Sequence, residues 1–173
     1  MKIKSFILTI ALLFTFYISF SQTKSKTPQK KVIHKNTRVN AIEDLFFGMP
    51  EDSVLFYMNG SGVFKIGNYA YSIRCNYNQS RLLSSISLTQ LTQLFADSYD
   101  TDLKEIHNDL LSTLNMKYGN PTKKYGYPSY EKLLSINTMS TATNTWELID
   151  KTIEIGVEEY NSSNYVWLSI KPN

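Results

Sequence analysis

The clearest periodicity in the chain lies in NYAYSIRCNYN, residues 68–78, where Tyr69, Tyr71, Ile73, Cys75 and Tyr77 alternate with Ala70, Ser72, Arg74 and Asn76. A period of two predicts a strand with one packed and one wet face. Asn78-Gln79-Ser80-Arg81 supplies a turn, and LLSSISLT returns with Leu82, Ile86 and Leu88 on one face, which predicts an antiparallel hairpin. The pattern recurs near the C-terminus. Trp146 and Leu148 share a face of NTWELI, Ile153, Ile155 and Val157 alternate in TIEIGVEEY, and YVWLSIK sets Val166, Leu168 and Ile170 opposite Tyr165 and Trp167. Asp150-Lys151 and Asn161–Asn164 act as the turns of a meander.

Helical spacing appears twice. GMPEDSVLFYMNGSG places Pro50 in a first turn, where its missing N–H costs nothing, and follows it with Glu51 and Asp52, the sign a helix N-terminus prefers. Val54, Leu55 and Met58 form one apolar side before Asn59-Gly60-Ser61-Gly62 ends the helix. DTDLKEIHNDLLSTLNMKYGNPT carries Leu103, Ile106, Leu110, Leu111 and Leu114 on one face. Asp102 and Glu105 have capping-box spacing, Gly119 fits a left-handed stop, and Pro121 blocks continuation. Residues 122–143 read as an irregular, Tyr- and Thr-rich connection. The expected fold class is α+β: an antiparallel sheet with two helices packed on one face, in an order that allows two α-then-β-meander halves. No letter-level repeat accompanies them.

The first residues follow another pattern. Lys2 and Lys4 precede an apolar run from Phe6 to Ile18 that exits through Ser19-Phe20-Ser21. A charged start, a short apolar core and a small-residue exit are the layout of a secretory signal, and the core falls short of the roughly 20 apolar residues of a spanning helix. Cleavage is expected between Ser21 and Gln22, leaving no stable membrane span. The alternative is an uncleaved anchor in the inner membrane, which Lys24, Lys26, Lys30 and Lys31 just beyond the run favour. The expected organisation is a signal peptide over 1–21, a basic arm or linker over 22–40 and one α+β domain over 41–173. The protein would then be exported, either periplasmic or secreted.

Charge sharpens this division. Residues 22–38 hold Lys24, Lys26, Lys30, Lys31, Lys35 and Arg38 with no acid, whereas residues 39–173 hold ten basic and fifteen acidic side chains. A basic arm on an acidic body suits a solvated leader or an electrostatic tether to an anionic envelope surface. Nucleic acid is a poor partner for an acidic exported body. Cys75 is the only cysteine, so no internal disulfide forms, and its strand pattern predicts a buried, inert thiol.

FFGMPEDSV and KYGNP, each tied to a helix and followed by strands, resemble the signatures of small bacterial envelope modules. These are the outer-membrane-assembly small lipoproteins and the related β-lactamase-inhibitor-protein architecture. In those, a Gly-Met or Gly-Thr helix start with a following Val, and a Gly-x-Pro helix end, frame a sheet that serves as a protein-contact surface. Gly48, Met49 and Val54 match the first element, and Gly119 with Pro121 the second. The lipobox cysteine is absent, and the Gly-x-Pro closes the second helix rather than following the first. The resemblance implies the α+β fold and protein binding; it carries over no catalytic residue.

Catalytic and metal chemistry find little purchase. Two histidines, His34 and His107, and one cysteine fall short of the four Cys or His ligands of a structural zinc site. Asp97, Asp100 and Asp102 match no calcium loop and read as helix-capping acids. No nucleophile elbow or phosphate-cradling loop occurs. The adjacent pairs Glu43-Asp44, Glu51-Asp52 and Glu158-Glu159 diverge on any regular element, and read as solvated faces. No catalytic residue, metal site or cofactor is expected. Asp52-Ser53-Val54 resembles a bacterial O-glycosylation acceptor, and Asn59, Asn78 and Asn161 begin N-glycosylation patterns.

Aromatic residues remain as candidate chemistry. Tyr69 and Tyr71 share a strand face, and Tyr125, Tyr127 and Tyr130 cluster in the connection. Tyrosine tolerates half-wet positions and is enriched at contact surfaces. These five residues are the expected partner-binding surface of a non-enzymatic envelope protein, whose partner is another envelope protein or an anionic envelope polymer. A small hydrolase using paired carboxylates is the alternative.

Overall fold

The computed structural model describes residues 38–173. Its elements run β1 (Asn40–Ile42), β2 (Leu45–Phe46), α1 (Glu51–Met58), β3 (Val63–Ile66), β4 (Tyr69–Tyr77) and β5 (Leu83–Gln90). They continue with α2 (Lys104–Tyr118), β6 (Lys123–Lys124), α3 (Tyr130–Leu134), β7 (Ser140–Glu147), β8 (Lys151–Tyr160) and β9 (Ser163–Pro172). The signal, its cleavage point at Ser21 and Gln22, His34 and the basic arm up to Thr37 lie outside the described residues.

The fold is α+β. β1 and β2 pair with each other, and the other strands form one seven-stranded sheet in the order β3-β4-β5-β9-β8-β7-β6, every pairing antiparallel. Two meanders, β3-β4-β5 after α1 and β7-β8-β9 after α2, meet edge to edge between β5 and β9. The seam pairs Ile86 with Ile170, Ser87 with Ser169, Leu88 with Leu168 and Thr89 with Trp167. The two expected α-then-β halves are therefore present and share one continuous sheet.

Alternation divides the sheet into a packed face and an open one. Tyr71, Ile73, Ile86, Leu88, Ile153, Ile155, Val157, Val166, Leu168 and Ile170 are all buried on the packed face. The helices lay Val54 of α1, Ile106, Leu110 and Leu114 of α2, and Leu133 of α3 onto the same core. The β3–β4 turn is tied to α2 through Asp109, whose carboxylate accepts from the Asn68 backbone N–H at 3.0 Å and from its side-chain amide at 2.7 Å.

Several local expectations need correction. Residues 38–40 already make contacts with the fold. The Arg38 guanidinium lies 4.6 Å from the Phe46 ring centre, the Val39 carbonyl accepts from the Phe47 N–H at 3.0 Å, and Asn40 opens β1. In α1 only Val54 is buried, while Leu55, Phe56 and Tyr57 are exposed. Leu83, not Leu82, takes the packed position opposite Tyr77, because a bulge sets Asn76 against Ser85 and Tyr77 against Leu83. The Asp102–Glu105 capping box does not form. The chain enters α2 through a 3-10 turn at Ala96–Ser98 and a π turn at Tyr99–Leu103, leaving no free first-turn N–H at Asp102, and Glu105 accepts instead from the Tyr69 hydroxyl at 3.0 Å. The 122–143 connection contains β6 and α3, the latter capped by Ser129 and anchored by buried Leu133.

Candidate functional site

The five tyrosines proposed from sequence do not form one surface. Tyr71 is completely buried between the sheet and α2, so it offers nothing to a partner. Tyr69 is half-buried and held by Glu105. Tyr127 and Tyr130 pack on buried Tyr99, with ring centres 5.2 and 5.1 Å away, and the Tyr127 hydroxyl donates to the Tyr99 carbonyl at 2.8 Å. The Tyr99 hydroxyl donates to the Pro128 carbonyl at 3.1 Å, and its burial pushes its pKa up to about 12. This three-ring knot fastens the connection to the start of α2. Only Tyr125 is exposed. The rings were visible as a cluster in the sequence, but buried Tyr99, which turns them inward, comes from another segment.

The sheet's open face carries the better site. Along β4, β5, β9 and β8 the outward positions are Ser72 and Arg74, Ser87 and Thr89, Tyr165, Trp167 and Ser169, then Glu158. They line a groove of about 650 Å³ rimmed by Thr138, Glu159 and Tyr160, within the roughly 300–1,000 Å³ of small-ligand sites. Four neighbouring strands make it about 14 Å across, and the β5–β9 seam runs along its floor.

Its hydrogen-bonding groups are unspent. Ser72, Arg74, Ser87, Thr89, Glu158, Tyr165 and Ser169 make no side-chain hydrogen bond to another described residue. The packed face is the opposite case. There the His107 Nε2–H donates to Thr143 Oγ1 at 2.7 Å, and the Thr143 hydroxyl donates to the Ile155 carbonyl at 3.1 Å. A bulge between Ala142 and Asn144 aims Thr143 inward.

Tyr165 and Trp167 stand two residues apart on β9, about 7 Å along the strand. Trp167 pairs with Gly156 on β8, and the Cε2–Cζ2 edge of its indole occupies the space above that glycine. Glu158 is half-buried on β8 and Arg74 stands on β4, the two outer strands of the groove. Burial pushes the Glu158 carboxyl up, and the Arg74 charge pulls it partly back down. Neither side chain belongs to an ion pair among the described residues.

No family model, curated protein or solved structure matches this chain.

No group of three or more His, Cys, Asp or Glu converges among the described residues. Of the acids near Glu158, Glu159 alternates to the rim and accepts from the Ser162 N–H at 2.6 Å, and Glu154 is paired with Lys171 at 3.4 Å. Among the described residues no helix is long and apolar enough to cross a membrane. Cys75 is half-buried and not fully buried as expected, its thiol 3.8 Å from the Met58 sulfur, and burial raises its pKa. The groove itself was half-legible in the sequence: Tyr165 and Trp167 were set opposite the apolar residues of their strand, but nothing local showed that β4 and β5 would add Ser72, Arg74, Ser87 and Thr89 beside them.

Proposed function

We propose that this chain is an exported, non-enzymatic binding module of the bacterial envelope, and that its contact surface is the open face of the sheet. The observation that carries this reading is the groove floor, where two half-buried aromatics and a row of hydroxyls with no side-chain hydrogen-bond partner among the described residues lie on four neighbouring strands. A site built on strands holds its groups in fixed register and so loses little entropy on binding. Export rests on the Lys2–Ser21 signal layout, and the basic arm would add attraction to an anionic surface. The resemblance to small envelope modules that present a sheet to a partner supports the same reading.

The test compares binding of the purified full chain to isolated envelope fragments. Tyr165→Ala combined with Trp167→Leu should abolish binding, whereas Leu55→Ser with Phe56→Ser on exposed α1 should leave it intact. Binding unchanged by the groove pair, in protein that remains folded, overturns the assignment of this surface.

A further inference from the structure

The groove's composition selects among ligand classes, an inference that rests on the open face being the contact surface. Protein–protein interface cores favour aromatics, Met and Arg and are depleted in Ser. Here the floor is Ser72, Ser87, Thr89 and Ser169, with aromatics at Tyr165 and Trp167 and, on the rim, exposed Tyr160. The one run of three consecutive exposed apolar residues among the described residues, Leu55, Phe56 and Tyr57, lies on α1 and outside the groove.

Charge argues next. On this face Lys171 with Glu154 at 3.4 Å and Lys123 with Glu147 at 2.6 Å already neutralise each other, Lys65 stands outside the groove on edge strand β3, and the groove itself is left with Arg74, Glu158 and Glu159. A polyanion approaching Arg74 would also meet Glu158 and Glu159. A polycation would meet Arg74. The groove suits a ligand without net charge, because the half-buried carboxylate can accept from neutral hydroxyls and the separate guanidinium can donate to them.

Rings and hydroxyls together complete the pattern. Aromatic side chains stack on the C–H-bearing faces of saccharide rings through apolar contact, while serine and threonine hydroxyls both donate and accept. We propose that the groove binds an uncharged polyhydroxylated chain, a neutral glycan, with sugar rings against Tyr165 and Trp167 and hydroxyls exchanging hydrogen bonds with Ser72, Ser87, Thr89 and Ser169. Arg74 on β4 and Glu158 on β8 border the site on its outer strands. Gly156 is part of this site, since the indole edge takes the space a side chain would fill.

The experiment follows tryptophan fluorescence of the full chain during titration with neutral hexasaccharides of glucose, mannose, xylose and N-acetylglucosamine in β-1,4, β-1,3 and α-1,4 linkage. An oligogalacturonate and an extended polar peptide are the comparison ligands. Trp146 is 1% exposed and donates to the Gly119 carbonyl, so the response reports Trp167. At least one neutral hexasaccharide should give a saturable shift, and Trp167→Leu should weaken its binding about tenfold or more by calorimetry. Ser87→Arg, which fills the floor without touching the core, should do the same in a chain whose fold is unchanged. The proposal is overturned if no neutral hexasaccharide binds up to about 10 mM. It is equally overturned if binding survives Ser87→Arg, or if the oligogalacturonate or the peptide binds more tightly. Should glycans fail while Ser87→Arg still abolishes envelope binding, only the ligand class falls, and the contact surface stands.

Discussion

Gly156 and Trp167 face each other across β8 and β9, and the indole occupies the position where a Gly156 side chain would stand. A Cβ at residue 156 would collide with Trp167 Cζ2 on one side and the Thr141 carbonyl oxygen on the other. The backbone there is ordinary strand, so glycine is required by space and not by conformation. Gly156→Ala should therefore destabilise the fold by about 1–3 kcal/mol through overpacking and displace the indole. Denaturant unfolding and the Trp167 emission maximum check this. A variant with unchanged stability would mean that Trp167 does not rest there.

The β3–β4 turn depends on α2. Gly67 has φ +59°, and a Cβ there would collide with Asp109 Oδ2, while Asn68 gives that carboxylate two hydrogen bonds. Asp109→Ala should cost about 1–2 kcal/mol and speed amide exchange at Asn68. Gly67→Ala should be destabilising both in the wild-type chain and in the Asp109→Ala variant, but less in the latter, because the strained φ and the close contact with Thr113 Oγ1 persist while the clash with the Asp109 carboxylate does not. Equal costs in a double-mutant cycle would contradict the contact.

His107 makes stability pH-dependent. Burial lowers its folded pKa, and its Nε2–H is used toward Thr143. The unfolded chain takes up a proton near the ordinary value of about 6.5, so this residue's contribution is present above that pH and lost as pH falls below it. His107→Gln keeps a donor and cannot take the proton. The wild-type melting temperature should fall more steeply than the variant's between about pH 7 and pH 5; parallel profiles would refute the assignment.

The connection tyrosines separate by role. Tyr127→Phe removes the hydroxyl that holds the Tyr99 carbonyl and should cost about 1 kcal/mol. Tyr125→Ala, at an exposed ring, should be close to neutral in stability and in envelope binding. Urea midpoints for the two variants distinguish them.

The legible parts of the fold were those with local causes. Alternation at Tyr69–Tyr77 and in Val166–Ile170 marked strands and their faces, and Gly119 with Pro121 marked the end of α2. What escaped depended on distant partners. Leu83 replaced Leu82 because of a bulge against Tyr77, Glu105 left the capping box for Tyr69, and Tyr127 turned inward toward Tyr99. The groove is a clearer case. Arg74 and Trp167 lie far apart in sequence and come to one face only because β5 pairs with β9, a register that no short stretch of sequence encodes.

The most direct test places a benzophenone photocrosslinker at Ser87, on the groove floor, and separately at exposed Ser112 on α2, in the full chain expressed in intact cells. The account predicts adducts with envelope material from position 87 and none from position 112. Adducts from 112 alone, or none from 87 in a folded and exported protein, would contradict it.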